Sequence, residues 1–187
     1  GTSEVTPLEL TAAYVPFANG GYRPDIHFIN RIETTGGKLL YQHERGNRPR
    51  VLRSETVGMM NAMMTETIVG GTAAKAAFGW PAAGKTGTSQ KSRDAWFIGY
   101  TANLTTGIWF GNDDGSPTKN LTGGSLPAMA WHDFMLAAHE GVPKRALPGN
   151  YEHAVPLQPV SLPPADVGSE PVAAAPARKP QRTVRPD

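Results

Sequence analysis

Lys85-Thr86-Gly87-Thr88 is the stretch of this 187-residue sequence whose residue types could do chemistry at close quarters. On an extended strand successive side chains alternate, so the Thr86 and Thr88 hydroxyls fall on one side. Lys85 adds an ammonium, and Gly87 has no side chain to hold another backbone at a distance. Together these suit binding an extended peptide that ends in a carboxylate, and addition of that peptide as a further strand explains why the site lies on a strand. An amide N–H at such an edge can also be aimed at the oxyanion of a tetrahedral acyl intermediate, where losing one donor costs about 3 to 4 kcal/mol.

A second chemistry competes for the same residues. Gly79-Trp80-Pro81-Ala82-Ala83-Gly84-Lys85-Thr86 fits the phosphate-loop pattern G-x-x-x-x-G-K-[ST] in full, which would make the chain a nucleotide-binding protein. That loop needs a buried strand before it and a helix after it, because the loop amides and the helix N-terminus hold the phosphates together. Here residues 72–78 are alanine-rich and helix-like, and Lys85 runs on into Gly87, Thr88 and strand formers. No apolar strand ending in a magnesium-binding aspartate follows, so the acyl-transfer reading is preferred. His132 and His139 stand seven apart without a third ligand at suitable spacing and read as exposed histidines; Asp113-Asp114 reads as a strand-end turn. No metal and no cofactor are expected.

Composition sets outer limits. The net charge is +2, and no Lys/Arg cluster interleaves with aromatic residues, so no nucleic-acid partner is expected. Cysteine is absent, which removes disulfides, thiolate metal sites and cysteine nucleophiles. No stretch approaches the roughly 20 apolar residues that span a bilayer, and residues 1–5 lack the features of a secretory signal. Ten of the 17 prolines fall at or after Pro143. The chain is therefore expected to divide into a folded part, 1–140, and a Pro/Ala-rich disordered tail, 141–187.

The elements that must position the motif follow from periodicity. Thr6-Pro7-Leu8-Glu9 has capping-box spacing and opens a helix carrying Leu10, Ala13, Tyr14 and Phe17. Residues 28–33 and 38–41 flank Thr34-Thr35-Gly36-Gly37 as a small hairpin. Ser54 is expected to cap a second helix with Val57, Met60, Met63, Met64 and Ile68 on its packed face, stopped by Gly70-Gly71. Residues 85–89, 95–101 and 106–112 read as an antiparallel meander. Pro127 opens a last helix that buries Ala130, Trp131, Phe134, Met135 and Ala138. The fold class expected is α+β, an antiparallel sheet flanked by helices.

Lys-Thr-Gly is one of three motifs shared by serine beta-lactamases and penicillin-binding proteins. Its flanks here sharpen the match: Gly1-Thr2-Ser3-Glu4-Val5-Thr6-Pro7-Leu8-Glu9-Leu10, Phe17-Ala18-Asn19-Gly20-Gly21, Gly71-Thr72-Ala73, Ala83-Gly84 before the motif, Asp94-Ala95-Trp96-Phe97-Ile98-Gly99-Tyr100, Trp109-Phe110-Gly111-Asn112-Asp113-Asp114 and Leu126-Pro127-Ala128. In this order they resemble the C-terminal part of the transpeptidase domain of class A penicillin-binding proteins, over about three-quarters of the chain.

The resemblance implies a partial transpeptidase fold and a serine-type peptidoglycan D,D-transpeptidase. The parent protein would also carry a glycosyltransferase domain, sit on the periplasmic face of the bacterial inner membrane, and be anchored through a missing N-terminal region. Its partners would be D-Ala-D-Ala stem peptides, beta-lactams and other cell-wall synthesis proteins. Lys85 would orient the substrate carboxylate, Thr86 and Thr88 would offer it hydroxyls, the Thr88 amide would form half of an oxyanion hole, and Gly87 would keep the strand open. Trp96, Phe97 and Trp109 would be packing residues.

The nucleophilic Ser-x-x-Lys is not among these expectations. Ser116-Pro117-Thr118-Lys119 has the spacing, but Asn120, Gly123 and Gly124 follow at once, so no helix can bring Lys119 over Ser116. Ser92-Arg93-Asp94 mimics the middle motif by letter, on the wrong side of Lys85. The chain alone is therefore expected to be inactive, with a non-catalytic peptide-binding fragment of the same fold as the alternative and the nucleotide-binding protein as the remote one.

Overall fold

The computed structural model describes residues 4–150. Helix α1 spans Pro7–Ala18 and starts as its sequence demands: the Thr6 hydroxyl accepts from the Glu9 amide at 3.2 Å, while the Glu9 carboxylate accepts from the Thr6 amide at 2.9 Å. Next comes a two-stranded antiparallel ribbon, β1 (Arg31–Glu33) and β2 (Leu39–Gln42), with every residue exposed. Helix α2 covers Ser54–Val69. Its N-cap is Arg53, and no side chain caps it, so Ser54 is the first helical residue and not the expected cap.

Three strands follow in the order β3 (Ala83–Thr88), β4 (Asp94–Tyr100) and β5 (Thr105–Gly111), each antiparallel to its neighbour. Helix α3, Leu126–Ala138, closes the fold. The α+β class and the meander are as expected. One sheet face, carrying Lys85, Ile98 and Tyr100, lies toward α1, where the Tyr14 and Tyr100 rings are 6.5 Å apart. The other face carries Phe97 and packs on α3 through Trp131, the two rings meeting edge-on at 5.3 Å. Gly99 makes that approach workable, since a Cβ there would stand 2.7 Å from the Trp131 ring.

Burial departs from the helical-stripe expectation at particular residues. In α2, Val57, Met64 and Ile68 are buried, but Met63 is 59% exposed. In α3, Trp131 and Met135 are buried while Phe134 is 50% exposed and Ala138 lies at the surface. Both helices pack on a sheet from one side only, which buries a narrow stripe and leaves its margins in solvent. His139 corrects the sequence reading: it is buried, with Nε2 at 2.9 Å from the Thr101 hydroxyl and Nδ1 at 2.8 Å from the Met135 carbonyl, whereas His132 faces solvent beside Asp133.

Residues 141–150, assigned to the tail from sequence, hydrogen-bond to the domain. Lys144 Nζ donates to the Gly79 carbonyl at 2.9 Å, and Asn61 Nδ2 donates to the Pro148 carbonyl at 2.8 Å. The rest of the expected tail, residues 151–187, lies outside the described residues.

Candidate active site

All four motif residues lie on β3, an edge strand that pairs only with β4. The phase of the ladder determines which backbone groups are free. Ser89 N–H donates to the Asp94 carbonyl at 3.0 Å, which makes Ser89 and Asp94 a hydrogen-bonded pair. Counting back by twos along the register, Gly87↔Trp96 and Lys85↔Ile98 are bonded pairs, and Thr86↔Phe97 and Thr88↔Ala95 are not. The N–H and C=O groups of Thr86 and Thr88 therefore point away from β4, toward the open edge. Helix α2 packs on β3, whose first two residues, Ala83 and Gly84, are buried, so the edge opens at Lys85.

A cavity of about 540 Å³ runs along this end of the strand on the α1 side. Lys85, Gly87, Trp96 and Ile98 form its floor; Leu10, Tyr14, Glu4 and Asp94 form its walls. Burial pushes the Tyr14 hydroxyl above its ordinary value. Lys85 is exposed, and its ammonium donates to the Thr86 carbonyl at 2.9 Å. Trp96, expected only to pack, lines the cavity. Phe97 is fully buried as expected, and Trp109 is 39% exposed with its indole N–H donating to the Asp94 carboxylate at 3.0 Å.

The threonine hydroxyls share the opposite side of the strand, and each already has a partner. Thr86 Oγ1 stands 2.8 Å from Thr72 Oγ1, and Thr88 Oγ1 accepts from the Gly123 amide at 3.2 Å. Gly123 sits hard against the strand: a Cβ there would lie 2.1 Å from the Trp96 carbonyl oxygen and 2.8 Å from the Gly87 backbone. Thr72 and Gly123, 14 and 35 residues from their partners, orient the motif's hydroxyls, and sequence reasoning gave them no role. The one available signal was the Gly71-Thr72-Ala73 flank.

The competing readings meet a different geometry. Gly84-Lys85-Thr86 is inside a strand, and the element after it, Gln90–Ser92, is a single short 3-10 turn, so the strand–loop–helix order of a phosphate loop is not present here. Ser116 and Lys119 lie in irregular backbone after β5, as expected, with Asn112–Gly115 closing a turn. Ser92 is on the 3-10 turn, and its carbonyl accepts from the Thr118 amide at 2.9 Å.

Comparison with known proteins adds three findings. Residues 1–122 match the family described as penicillin binding protein transpeptidase domain. The chain is 33% identical to penicillin-binding protein 1A of Neisseria cinerea over 96% of its length and 24% of that protein, and 38% identical to penicillin-binding protein 1A of Aquifex aeolicus over 72% of its length and 19% of that protein. Among solved structures it resembles penicillin-binding protein 1A from Haemophilus influenzae with a TM-score of 0.70 at 26% identity, covering 79% of this chain and 28% of that one. PonA1 from Mycobacterium tuberculosis gives a TM-score of 0.68 at 26% identity, covering 78% and 41%. The chain thus spans about a quarter of the length of the relatives it matches.

Proposed function

Because the chain belongs to the penicillin-binding protein transpeptidase domain family, we propose that it forms the substrate-binding wall of a class A peptidoglycan D,D-transpeptidase. The observation that carries this is the open edge at Thr86 and Thr88 beside a cavity floored by Lys85 and Gly87. A stem peptide ending in D-Ala-D-Ala adds to that edge as a strand, its backbone pairing with the outward groups of Thr86 and Thr88. Lys85 supplies the positive field for its terminal carboxylate, and the Thr86 and Thr88 hydroxyls lie on the flank where Thr72 and Gly123 hold them. The Thr88 amide, directed outward by the ladder phase, donates to the oxyanion as the acyl-serine forms. The attacking serine and the lysine that takes its proton come from outside these 187 residues. The parent protein joins a glycosyltransferase to this transpeptidase on the periplasmic face of the inner membrane, and beta-lactams acylate the same serine. Among the described residues no helix is long and apolar enough to cross a membrane.

The test is acylation of the parent protein by a fluorescent penicillin. Lys85→Ala should slow labelling by about 10-fold or more, the scale for losing a contact of about 1.5 to 3 kcal/mol to a charged carboxylate. Labelling at an undiminished rate in both Lys85→Ala and Gly87→Val would sink the assignment. A second reading, a fragment that binds peptide without chemistry, is favoured by the fact that the open edge is complete within this chain. Saturable binding of a D-Ala-D-Ala peptide to the 187-residue chain, lost in Lys85→Ala and without covalent product, distinguishes it.

A further inference from the structure

Beyond the acyl-transfer site, we propose that Asp25, His27 and His43 form a binding site for a divalent transition-metal cation of the zinc class. The three residues come from the two arms that flank the β1–β2 ribbon, and each offers a ligand atom within 4.8 Å of the others. Asp25 Oδ2 accepts from His43 Nε2 at 2.8 Å and from the Gly46 amide at 3.2 Å, and among the described residues nothing donates to Oδ1. The His27 and His43 rings stack with centroids 3.8 Å apart.

His27 supplies the observation that points to a cation. Its Nδ1 lies 3.0 Å from the Asp25 backbone carbonyl and its Nε2 lies 2.7 Å from Asn30 Oδ1. Both ring nitrogens therefore face oxygens that carry no proton, while a neutral imidazole has a single N–H. With the proton on Nδ1 and donated to the carbonyl, the Nε2 lone pair is left directed at another lone pair. A cation shared by Nε2 and Asn30 Oδ1 removes that conflict, and an imidazole whose other nitrogen donates to a backbone carbonyl is the arrangement that metal-bound histidines use. Two imidazoles with carboxylate and amide oxygens suit zinc, copper or nickel better than calcium or magnesium. Donors that share a cation at about 2.1 Å stand about 3.0 to 3.4 Å apart, and stacked rings hold their lone pairs in near-parallel planes, so the cluster closes by side-chain shifts of roughly 1.5 Å together with rotation of the His43 ring out of the stack. Arg48, half exposed and 4.0 Å from Asp25 Oδ2, holds that carboxylate in the metal-free state and turns to solvent when the cation enters.

The ribbon's own weakness gives the site a purpose. Its strands are three and four residues long, and none of their residues is buried. Phe28, Ile32, Leu40 and Tyr41 are all exposed. An isolated two-stranded ribbon is marginal in water. The cluster sits at its open end, where the His43 amide donates to the Asn30 carbonyl at 2.8 Å, so one cation ties both arms. Its binding energy then becomes local folding energy.

Titration calorimetry of zinc chloride into the chelator-treated 187-residue chain tests the site. One saturable micromolar site is expected, weakened at least about tenfold in both His27→Ala and His43→Ala, with amide exchange across residues 31–42 slowing when zinc is present. His132→Ala, a solvent-facing histidine elsewhere, should bind as the unchanged chain does. Absence of saturable uptake, uptake undiminished in the His27→Ala/His43→Ala double variant, or an equal loss in His132→Ala overturns the proposal.

Discussion

Gly123→Ala should destabilise the domain through the strand that carries the motif. The new Cβ would stand 2.1 Å from the Trp96 carbonyl oxygen and 2.8 Å from both the Gly87 amide nitrogen and its carbonyl oxygen. All three are backbone atoms of one pair of the β3–β4 ladder, so neither side can yield by rotating a side chain. Forcing a methyl group into a packed site costs about 1 to 3 kcal/mol. The 122–125 loop must also lift, which breaks the Gly123 amide to Thr88 hydroxyl bond at 3.2 Å and removes about 1 kcal/mol more. The sum is about 2 to 4 kcal/mol, equivalent to a fall of about 4 to 16 °C in melting temperature for a domain of this size. Thermal unfolding followed by circular dichroism of the chain and of Gly123→Ala measures it. Gly70→Ala is the control, because nothing lies within 4 Å of a Cβ there, and it should melt within about 0.5 kcal/mol of the parent chain. Equal melting temperatures for the two variants would refute the claim that the loop is clamped onto the strand.

Tyr100→Phe removes the hydroxyl that donates to Asn61 Oδ1 at 2.6 Å; Asn61, whose amide reaches the Phe17 and Pro148 carbonyls, would keep a buried acceptor unpaired, at a cost of about 1 to 3 kcal/mol in denaturant unfolding. Burial first, and Tyr14 second, hold the Tyr100 hydroxyl well above the ordinary tyrosine value of 10.0, so its contribution is fully present below pH 10 and is lost as pH rises toward the folded-state value; chain stability measured above pH 10 should fall, and fall less in Tyr100→Phe. Thr6→Ala should cost about 1 kcal/mol by removing one half of the α1 capping box, read from the urea midpoint. Incubated alone with a fluorescent penicillin, the 187-residue chain should form no stable label, and a covalent adduct would place a nucleophile inside it.

What could be read in the sequence was what local chemistry decides. Thr6 and Glu9 define the start of α1 because the capping box closes within four residues, and the Thr/aromatic runs define β4 and β5 to within a residue or two. The sequence alone starts β3 at Lys85, two residues late, because Ala83 and Gly84 have no strand preference of their own and pairing with Tyr100 and Gly99 extends the strand through them. Periodicity puts Met63 and Phe134 on packed faces, though both are exposed, because a 3.6-residue period cannot tell how wide a stripe the partner will cover. The sequence alone gives His139 to solvent because the residues that cover it, Phe78, Trp80 and Thr101, belong to other parts of the chain. The same reason hid Thr72 and Gly123 behind the motif, and hid the Asp25–His27–His43 cluster, whose members are up to 18 residues apart across a ribbon.

The way β3 is held also limits how an active site can be completed around it. Its first half is buried with α2 packed on the strand, and the Thr86 and Thr88 hydroxyls are engaged from the α3 side by Thr72 and Gly123, so the open approaches are the strand edge and the Lys85 face. An ammonium has three donors. Among the described residues one is used, on the Thr86 carbonyl, which leaves two for groups arriving from the cavity. On the proposed function, a nucleophile helix brought to that face would meet the free donors of Lys85 and the outward amide of Thr88 without breaking a bond of the sheet, and the strand would not be rebuilt when substrate binds. Such an arrangement would meet the condition for a preorganised oxyanion site, whose dipoles are in place before charge develops. It follows that Thr72→Val, which loses the hydroxyl contact to Thr86 and keeps the side-chain volume, should weaken beta-lactam acylation of the parent protein, while Thr72→Ser restores it. Equal rates in Thr72→Val and the parent would show that Thr86 needs no support from behind.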